Sequence, residues 1–143
     1  MKTTKQQEIN FLQIRSFLES AERRLKKAEQ ILKVDEQSGF QAAYEAMIRA
    51  SLGFMLSFGQ RPRSTVGHHK VIIEFVGKKF GEKYVGLISN FDTMRKKRNK
   101  AIYEPFGNIG EKEAADAIKT AREFIGVIYN HIRDKNQQPP LRI

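Results

Sequence analysis

The sequence contains no cysteine and no tryptophan, and only 4 of its 143 residues are proline. The absence of cysteine excludes disulfide bonds, thiolate metal sites and cysteine nucleophiles, and is typical of a cytoplasmic protein. No segment approaches the ~18 consecutive apolar residues of a membrane-spanning helix. The polar segment 1–10 lacks the pattern of a secretory signal peptide. We therefore predict a cytoplasmic protein that does not insert into a membrane.

The motifs of two common kinds of site are also missing. No glycine-rich loop precedes a Lys-Ser or Lys-Thr pair, which excludes a Walker-type nucleotide site. The three histidines form no recognisable zinc-binding arrangement with nearby carboxylates, so we predict no metal site and no cofactor. Adjacent helical residues point ~100° apart, so His68 and His69 cannot both face one ligand, and we favour capping or helix packing for them. We expect His131 to be solvent-exposed.

A strong positive charge is what the sequence has in abundance. The chain carries 26 lysines and arginines against 16 acidic residues, a formal net charge of +10. This excess favours an anionic partner such as RNA, a nucleotide or an acidic protein. The alternative is that the charge only keeps the protein in solution. The length predicts one domain, which we place at residues 1–134, followed by a flexible tail at 135–143.

Apolar residues repeat at spacings of three and four along the chain, which predicts an all-α protein, and no segment with the period of a strand appears. The predicted helices span about 5–34, 40–58, 69–80, 83–103 and 111–134. Ser38-Gly39 separates the first two helices, and Pro105 ends the fourth because proline cannot continue a helix. Gly53 and Gly86 lie within helical pattern, so we predict that each allows a close approach between helices.

The fourth predicted helix carries two arginines on its apolar side. Its apolar stripe consists of Tyr84, Leu87, Ile88, Phe91, Met94 and Ile102. Arg95 and Arg98 fall within this arc, whereas the lysines at 96, 97 and 100 fall on the opposite side. A guanidinium that faces the core needs an acceptor, since an unpaired buried charge is costly. The partner is either a structural carboxylate, such as Glu19 or Glu22 for Arg98, or the phosphate of a ligand.

Several segments together resemble one known family. They are Ala21–Ala28, Gln41–Met47, the turn from Gly59 to His69, the Arg98-Asn99 pair and Ala121–Ile125. In this order and spacing they resemble the HEPN domain (higher eukaryotes and prokaryotes nucleotide-binding) over about residues 10–133. The resemblance implies an antiparallel up-and-down bundle of four to five helices, usually paired with a second copy. We therefore expect a homodimer.

The resemblance also implies a site on the fourth helix. Ribonuclease members of the family have an arginine followed four to six residues later by histidine, near the dimer interface. Arg98 occupies the arginine position and Asn99 the polar position after it, but Tyr103 stands where histidine is expected. The predicted phosphate-binding residues are Arg95, Arg98, Asn99 and Lys100, and the predicted catalytic residues are Arg98 and Tyr103. Tyrosine, with a reference pKa of about 10, is a poor general base near neutral pH.

Two functions follow as hypotheses. In the first, the protein is a nucleotide- or RNA-binding or partner-binding module that works with a nucleotidyltransferase or in a toxin–antitoxin pair. In the second, it is a metal-independent ribonuclease toxin that uses Arg98 with Tyr103 in place of histidine. A structural reading of the same residues remains open, with Asn99 bonded to a loop carbonyl and Tyr103 closing the core. Five phenylalanines, Phe11, Phe17, Phe40, Phe54 and Phe58, form either a dimer surface or part of the core.

Overall fold

The computed structural model describes residues 4–6, 8–63, 68–103 and 109–136, with side chains for all of these except 102–103 and 135–136. The elements in chain order are β1 (Thr4–Gln6), α1 (Phe11–Ile31), α2 (Glu36–Ser57), β2 (Gln60–Pro62), α3 (His69–Phe80), a single 3₁₀ turn (Glu82–Tyr84), α4 (Val85–Tyr103) and α5 (Glu111–Asn136). The predicted helical bundle is therefore confirmed.

The central element of the bundle is α2, which packs against each of the other four described helices. It is buried along most of its length, and its side chains at Tyr44, Met47 and Phe54 are fully inaccessible to solvent. Alanines at 43, 46 and 50 are buried between these larger residues, so neighbouring backbones approach closely. Burial of this apolar surface is the main term that favours folding.

The first helix is shorter than predicted at both ends. Asn10 caps it, because the Asn10 side chain accepts a hydrogen bond from the backbone N–H of Gln13 at 3.1 Å. The helix ends at Ile31, and the break falls at residues 32–35 rather than at Ser38-Gly39, which lie inside α2. A Cβ at Gly39 would lie 3.0 Å from Leu32 Cα. Glycine at this position therefore lets the connection between α1 and α2 pass close to the helix.

The structure also contains two short strands, which the sequence pattern did not indicate. The strands β1 and β2 pair antiparallel, with Thr4 opposite Pro62 and Gln6 opposite Gln60. Each strand has three residues, too few for an alternating pattern to be visible in the sequence. Pro62 lies at the end of its strand, where the missing N–H removes little from the ladder. The pair ties the N-terminal segment to the chain just after α2.

The other helix boundaries agree with the prediction to within a few residues. At the end of α3, Gly81 has a φ of +83°, a backbone conformation that residues with a Cβ rarely adopt. Helix α5 continues to Asn136, two residues into the segment predicted as the tail. Residues 137–143, and Pro105 with the loop around it, lie outside the described residues.

Four of the five phenylalanines considered for a dimer surface belong to the core. Phe40 and Phe54 are buried, Phe17 and Phe58 pack against the core, and only Phe11 is exposed. The aromatic residues thus give no support to a homodimer. In the part of the chain that the structure describes, no helix combines the length and apolar character needed to cross a bilayer.

Two further predictions about single residues were wrong. His131 is partly buried and stacks on Phe80, with ring centroids 5.1 Å apart, rather than facing solvent. Gly86 is exposed, and a Cβ built there has no described atom within 4 Å. Gly53 does lie at a close helix contact, since a Cβ there would lie 3.1 Å from Phe17 Cβ in α1.

Candidate functional site

The two arginines of α4, Arg95 and Arg98, line a cleft between α3 and α4. We call it the cationic cleft; its volume is about 340 Å³, and it is lined by His69, Lys70, Arg95, Arg98 and Asn99. Among the described residues, three cations and a histidine line this cleft, and no carboxylate does. Such a surface favours an anionic ligand. Its position follows from the 3₁₀ turn and Gly81, which bring the start of α3 beside the last turns of α4.

Arg95 is held in place by a carboxylate on its own helix. Its Nε donates a hydrogen bond to Asp92 Oδ1 at 2.8 Å, and its side chain is 17 % exposed. The Arg95 guanidinium lowers the pKa of Asp92 below its usual value, so this carboxylate is ionised at neutral pH. The bond uses only the Nε group of Arg95. The two terminal nitrogens remain to donate a forked pair of hydrogen bonds to a phosphate.

Arg98 lies over an aromatic ring instead of beside a carboxylate. Its Cζ is 5.6 Å from the centre of the Tyr44 ring, within the range of a cation–π contact. Its Nη1 also donates a long hydrogen bond of 3.4 Å to Asn99 Oδ1. Among the described residues no ion pair joins Arg98 to Glu19 or Glu22, so that structural partnership, considered from the sequence, is not observed. The charge of Arg98 is therefore available to a ligand.

His69 enters the cleft from the first turn of α3. Its Nδ1 and the hydroxyl of Tyr44 form a hydrogen bond of 2.8 Å, and the two rings lie 5.5 Å apart. Tyr44 is fully buried in α2 and packs edge-on against Phe91 of α4. One buried side chain therefore contacts both the histidine and the arginine of the cleft.

The electrostatic environment of this pair favours neutral forms of both side chains. Burial lowers the pKa of His69 below its usual 6.5, and the charges of Arg98 and Arg95 lower it further, whereas Glu45 opposes them. The imidazole is therefore neutral at pH 7. Burial also raises the pKa of the Tyr44 phenol well above its usual range, so the hydroxyl keeps its proton.

The structure brings together three of the five residues singled out from the sequence. Arg95, Arg98 and Asn99 line the cationic cleft. Lys100 is exposed on the same helix but is not one of the lining residues. The side chain of Tyr103 lies outside the described residues, although its backbone forms the last position of α4. The described side chains contain no group of three metal-ligating residues near enough to hold a metal ion.

The sequence interpretation missed His69 and Lys70 as cleft residues, and it missed Tyr44 as the buried residue that contacts His69 and Arg98. A packing role for His69 was favoured, and its contact with Tyr44 agrees with that role. His69 also lines the cleft, which was not predicted. No capping hydrogen bond of the His68 side chain is found at the start of α3. The signal that was available is the position of His69 in the first turn of a helix that follows a basic loop.

Comparison with known proteins identifies the family. The chain matches the family model of the HEPN domain over residues 14–132, which covers nearly all of the helical bundle. No curated protein and no solved structure matches the chain significantly. The match spans more than half of the sequence and includes every residue of the cationic cleft. The chain therefore belongs to the HEPN domain family.

Proposed function

We propose that this protein binds RNA or a nucleotide through phosphate groups held in the cationic cleft. The observation that carries the proposal is the unpaired cationic surface around Arg98. Arg95 has a carboxylate partner on one side only, and Arg98 and Lys70 have no ion pair among the described residues. Cations placed together without counter-charges repel one another, and an anionic ligand relieves this repulsion.

The chemistry of the cleft suits phosphate better than a simple carboxylate. Arginine guanidinium groups bind two phosphate oxygens at once, and Lys70 supplies a point charge beside them. Asn99 adds an amide that can donate to a ligand oxygen. The volume of about 340 Å³ is within the range of small-molecule sites, so a nucleotide-sized portion of a longer RNA fits.

Partners of the protein are also part of the proposal. Membership of the HEPN family supports a homodimer, and it supports a nucleotidyltransferase or an antitoxin as a second kind of partner. The net charge of +10 is compatible with an acidic protein partner as well as with RNA. Among these, RNA or a nucleotide is preferred because the cleft is concave and cationic rather than a broad flat surface.

The proposal is tested by fluorescence anisotropy with a labelled single-stranded RNA at fixed salt. Charged hydrogen bonds contribute about 1.5–3 kcal/mol each, so Arg98→Ala is expected to weaken binding by roughly 10- to 100-fold. Arg23→Ala removes an exposed cation from α1, away from the cleft, and is the matched control. Equal losses in both variants would mean that binding depends on overall charge, and the cleft would not be the site.

The second hypothesis, RNA cleavage by Arg98 with Tyr103, requires a group that accepts a proton near neutral pH. Arg98 can stabilise the charge on a phosphate but remains protonated, so it cannot serve as that group. Tyrosine at position 103 needs a strongly lowered pKa to do so. Within the described part of the cleft, Nδ1 of His69 accepts from the buried hydroxyl of Tyr44, which leaves Nε2 protonated and unable to serve as that group.

A further inference from the structure

The hydroxyl of Tyr44 determines which nitrogen of His69 carries the proton. Among the described residues, its one hydrogen-bond partner is Nδ1 of His69, at 2.8 Å. Tyr44 is fully inaccessible to solvent, so bulk water cannot serve as a second acceptor. A buried O–H group without an acceptor costs free energy, so the hydroxyl donates to the imidazole and does not accept from it. Nδ1 therefore carries no proton, and the single proton of the neutral imidazole lies on Nε2.

The second imidazole nitrogen, Nε2, is the one that remains for a ligand. His69 lines the cationic cleft, its Nδ1 is occupied by Tyr44, and Nε2 has no hydrogen-bond partner among the described residues. A protonated imidazole nitrogen donates a hydrogen bond and cannot accept one, so it requires an acceptor on the ligand. A phosphate oxygen, which is also the partner that the arginines of the cleft favour, meets this requirement.

The ring of Tyr44 also relates His69 to Arg98. Its hydroxyl bonds to His69 of α3, and its face lies 5.6 Å from Cζ of Arg98 in α4. The ring packs edge-on against Phe91, and a fully buried ring with contacts on several sides has little freedom to move. One core side chain therefore places an uncharged donor and a cation beside each other in the cleft.

The charges around His69 keep its imidazole neutral. The groups that face it come from three helices: Tyr44 and Glu45 of α2, Lys70 of α3, and Arg95 and Arg98 of α4. Glu45 is paired with Arg24 at 2.6 Å and Asp92 with Arg95 at 2.8 Å, so the balance is positive. Burial lowers the pKa of His69, and Arg98 and Arg95 lower it further. A proton on Nδ1 would also deprive the Tyr44 hydroxyl of its acceptor.

Binding of an RNA phosphate leaves this balance positive. A phosphodiester brings one negative charge into a cleft that is lined by three cations, Lys70, Arg95 and Arg98. The remaining positive charge still opposes a proton on His69. The imidazole therefore contacts the ligand as an uncharged group.

We propose that His69 is a phosphate-binding residue of the cationic cleft and donates its Nε2–H, as a neutral imidazole, to an oxygen of an RNA phosphodiester. Tyr44 is its positioning residue, because the Tyr44 hydroxyl holds the proton on that nitrogen. The inference rests on the proposed function, since it concerns RNA bound in the same cleft. It adds a ligand contact from α3, and it makes RNA affinity independent of histidine protonation near neutral pH.

The first experiment measures this independence. The full chain is titrated against a labelled single-stranded RNA without terminal phosphates, by fluorescence anisotropy at fixed salt, between pH 6.5 and pH 8.0. Phosphodiesters, lysines and arginines keep their charge over this range, and the wild-type affinity is expected to change by less than ~2-fold. A site that required the imidazolium form of a histidine with a pKa at or below 6.5 would gain at least ~10-fold in affinity at the lower pH.

Variants at position 69 separate a neutral donor from a charge. His69→Ala removes the donor and is expected to weaken binding by roughly 10-fold throughout the pH range. His69→Gln is expected to bind within ~3-fold of wild type, because its uncharged amide has both a donor and an acceptor. The matched control is His68→Gln, which removes the neighbouring imidazole outside the cleft lining and is expected to bind like wild type at pH 7.5.

The second experiment identifies the protonated nitrogen by ¹⁵N NMR of the imidazoles at pH 7.5, with His69→Gln used to assign the signals. Wild-type His69 is expected to carry its proton on Nε2, and added RNA is expected to shift the Nε2 signal more than the Nδ1 signal. Tyr44→Phe, shown to be folded by circular dichroism, is expected to give a mixture of both tautomers.

Three results would overturn the inference. They are a wild-type His69 with its proton on Nδ1, binding by His69→Gln as weak as that by His69→Ala, and a 10-fold gain in wild-type affinity at pH 6.5 that His69→Gln abolishes. Undiminished binding by His69→Ala would also remove His69 from the site, and would leave the binding function with the arginines. Failure of the wild type to bind RNA would contradict the proposed function itself, and this inference with it.

Discussion

Tyr44 has a phenolic hydroxyl buried in the centre of the bundle, and such a group must find a partner because an unsatisfied buried donor costs free energy. Its partner is His69 at 2.8 Å, so the requirement of one core residue determines the orientation of a cleft residue. The cation–π contact of Arg98 uses the face of the same ring. A single core tyrosine thus links stability to the geometry of the cleft.

The helical period alone predicted that Arg95 and Arg98 lie on the apolar side of their helix. Both side chains are partly buried, as that prediction requires. The ion pair of Arg95 with Asp92 could have been predicted by the same reasoning, because residues three apart share a helix face. The partners of Arg98 were not predictable in this way, since Tyr44 belongs to another helix.

The lowered pKa of His69 predicts how stability depends on pH. The unfolded chain binds a proton at His69 near pH 6.5, whereas the folded chain binds it only at lower pH. Between these two values the unfolded state holds more protons, so the free energy of unfolding falls as the pH falls. We expect wild type to lose more stability than His69→Gln between pH 7.5 and pH 5, measured by urea unfolding.

His68→Gln is the control for this experiment. It removes a neighbouring histidine that does not line the cleft, and so it controls for the loss of an imidazole at the start of α3. A wild type and a His69→Gln variant with parallel pH dependence would contradict a folded-state pKa below 6.5. Asp92 also titrates in acid, but its effect cancels because it is present in every variant.

The contact between α1 and α2 depends on Gly53. A Cβ there would lie 3.1 Å from Phe17 Cβ and 3.5 Å from the carbonyl oxygen of Ile14, neither of which can move without the α1 backbone. Overpacking of this kind costs about 1–3 kcal/mol, more than the helix propensity that alanine restores. We expect Gly53→Ala to lower the free energy of unfolding, measured with urea.

Gly126 offers the opposite case in α5. It is exposed in the helix interior, and a Cβ there has no described atom within 4 Å. Gly126→Ala is expected to raise the free energy of unfolding by about 0.5–1 kcal/mol, because alanine has the higher helix propensity. If Gly53→Ala were as stabilising as Gly126→Ala, the close contact between α1 and α2 would not exist in solution.

Helices were predictable where the apolar residues repeat with the helical period over a long segment. Helix α3 begins at His69 and ends at Phe80 as predicted, since its apolar residues face one neighbouring surface throughout. The start of α1 was misplaced because the helical prediction extended past Asn10, whose side chain caps the first turn. The pairing of β1 with β2 was beyond prediction, since strands of three residues leave no period and their contact joins distant parts of the chain.

At the scale of the whole molecule, the cleft is a product of tertiary structure. His69 and Arg98 belong to helices joined through Gly81 and a 3₁₀ turn, and the direction of that turn decides whether they meet. Periodicity placed both helices but did not give the angle between them. The sequence could therefore indicate that Arg98 needed a partner, but not that His69 would stand beside it.

The net charge of +10 predicts RNA binding that weakens steeply with salt. Only those cations that contact phosphates in the complex are expected to contribute to this salt dependence. Each phosphate contact with a single strand contributes about 0.7 to the slope of log K against log salt concentration. We expect the double variant Arg95→Ala/Arg98→Ala to reduce the magnitude of this slope by about 1.4, measured by anisotropy between 50 and 300 mM salt.

The matched control removes two exposed cations from α1, in the variant Arg23→Ala/Lys27→Ala. It lowers the net charge by the same amount, so a general electrostatic attraction would weaken equally in both double variants. If the cationic cleft holds the phosphates, the slope of the α1 variant stays near that of wild type, because those cations contact no phosphate in the complex. Equal slopes in the two double variants would place the RNA outside the cleft and spread its contacts over the surface.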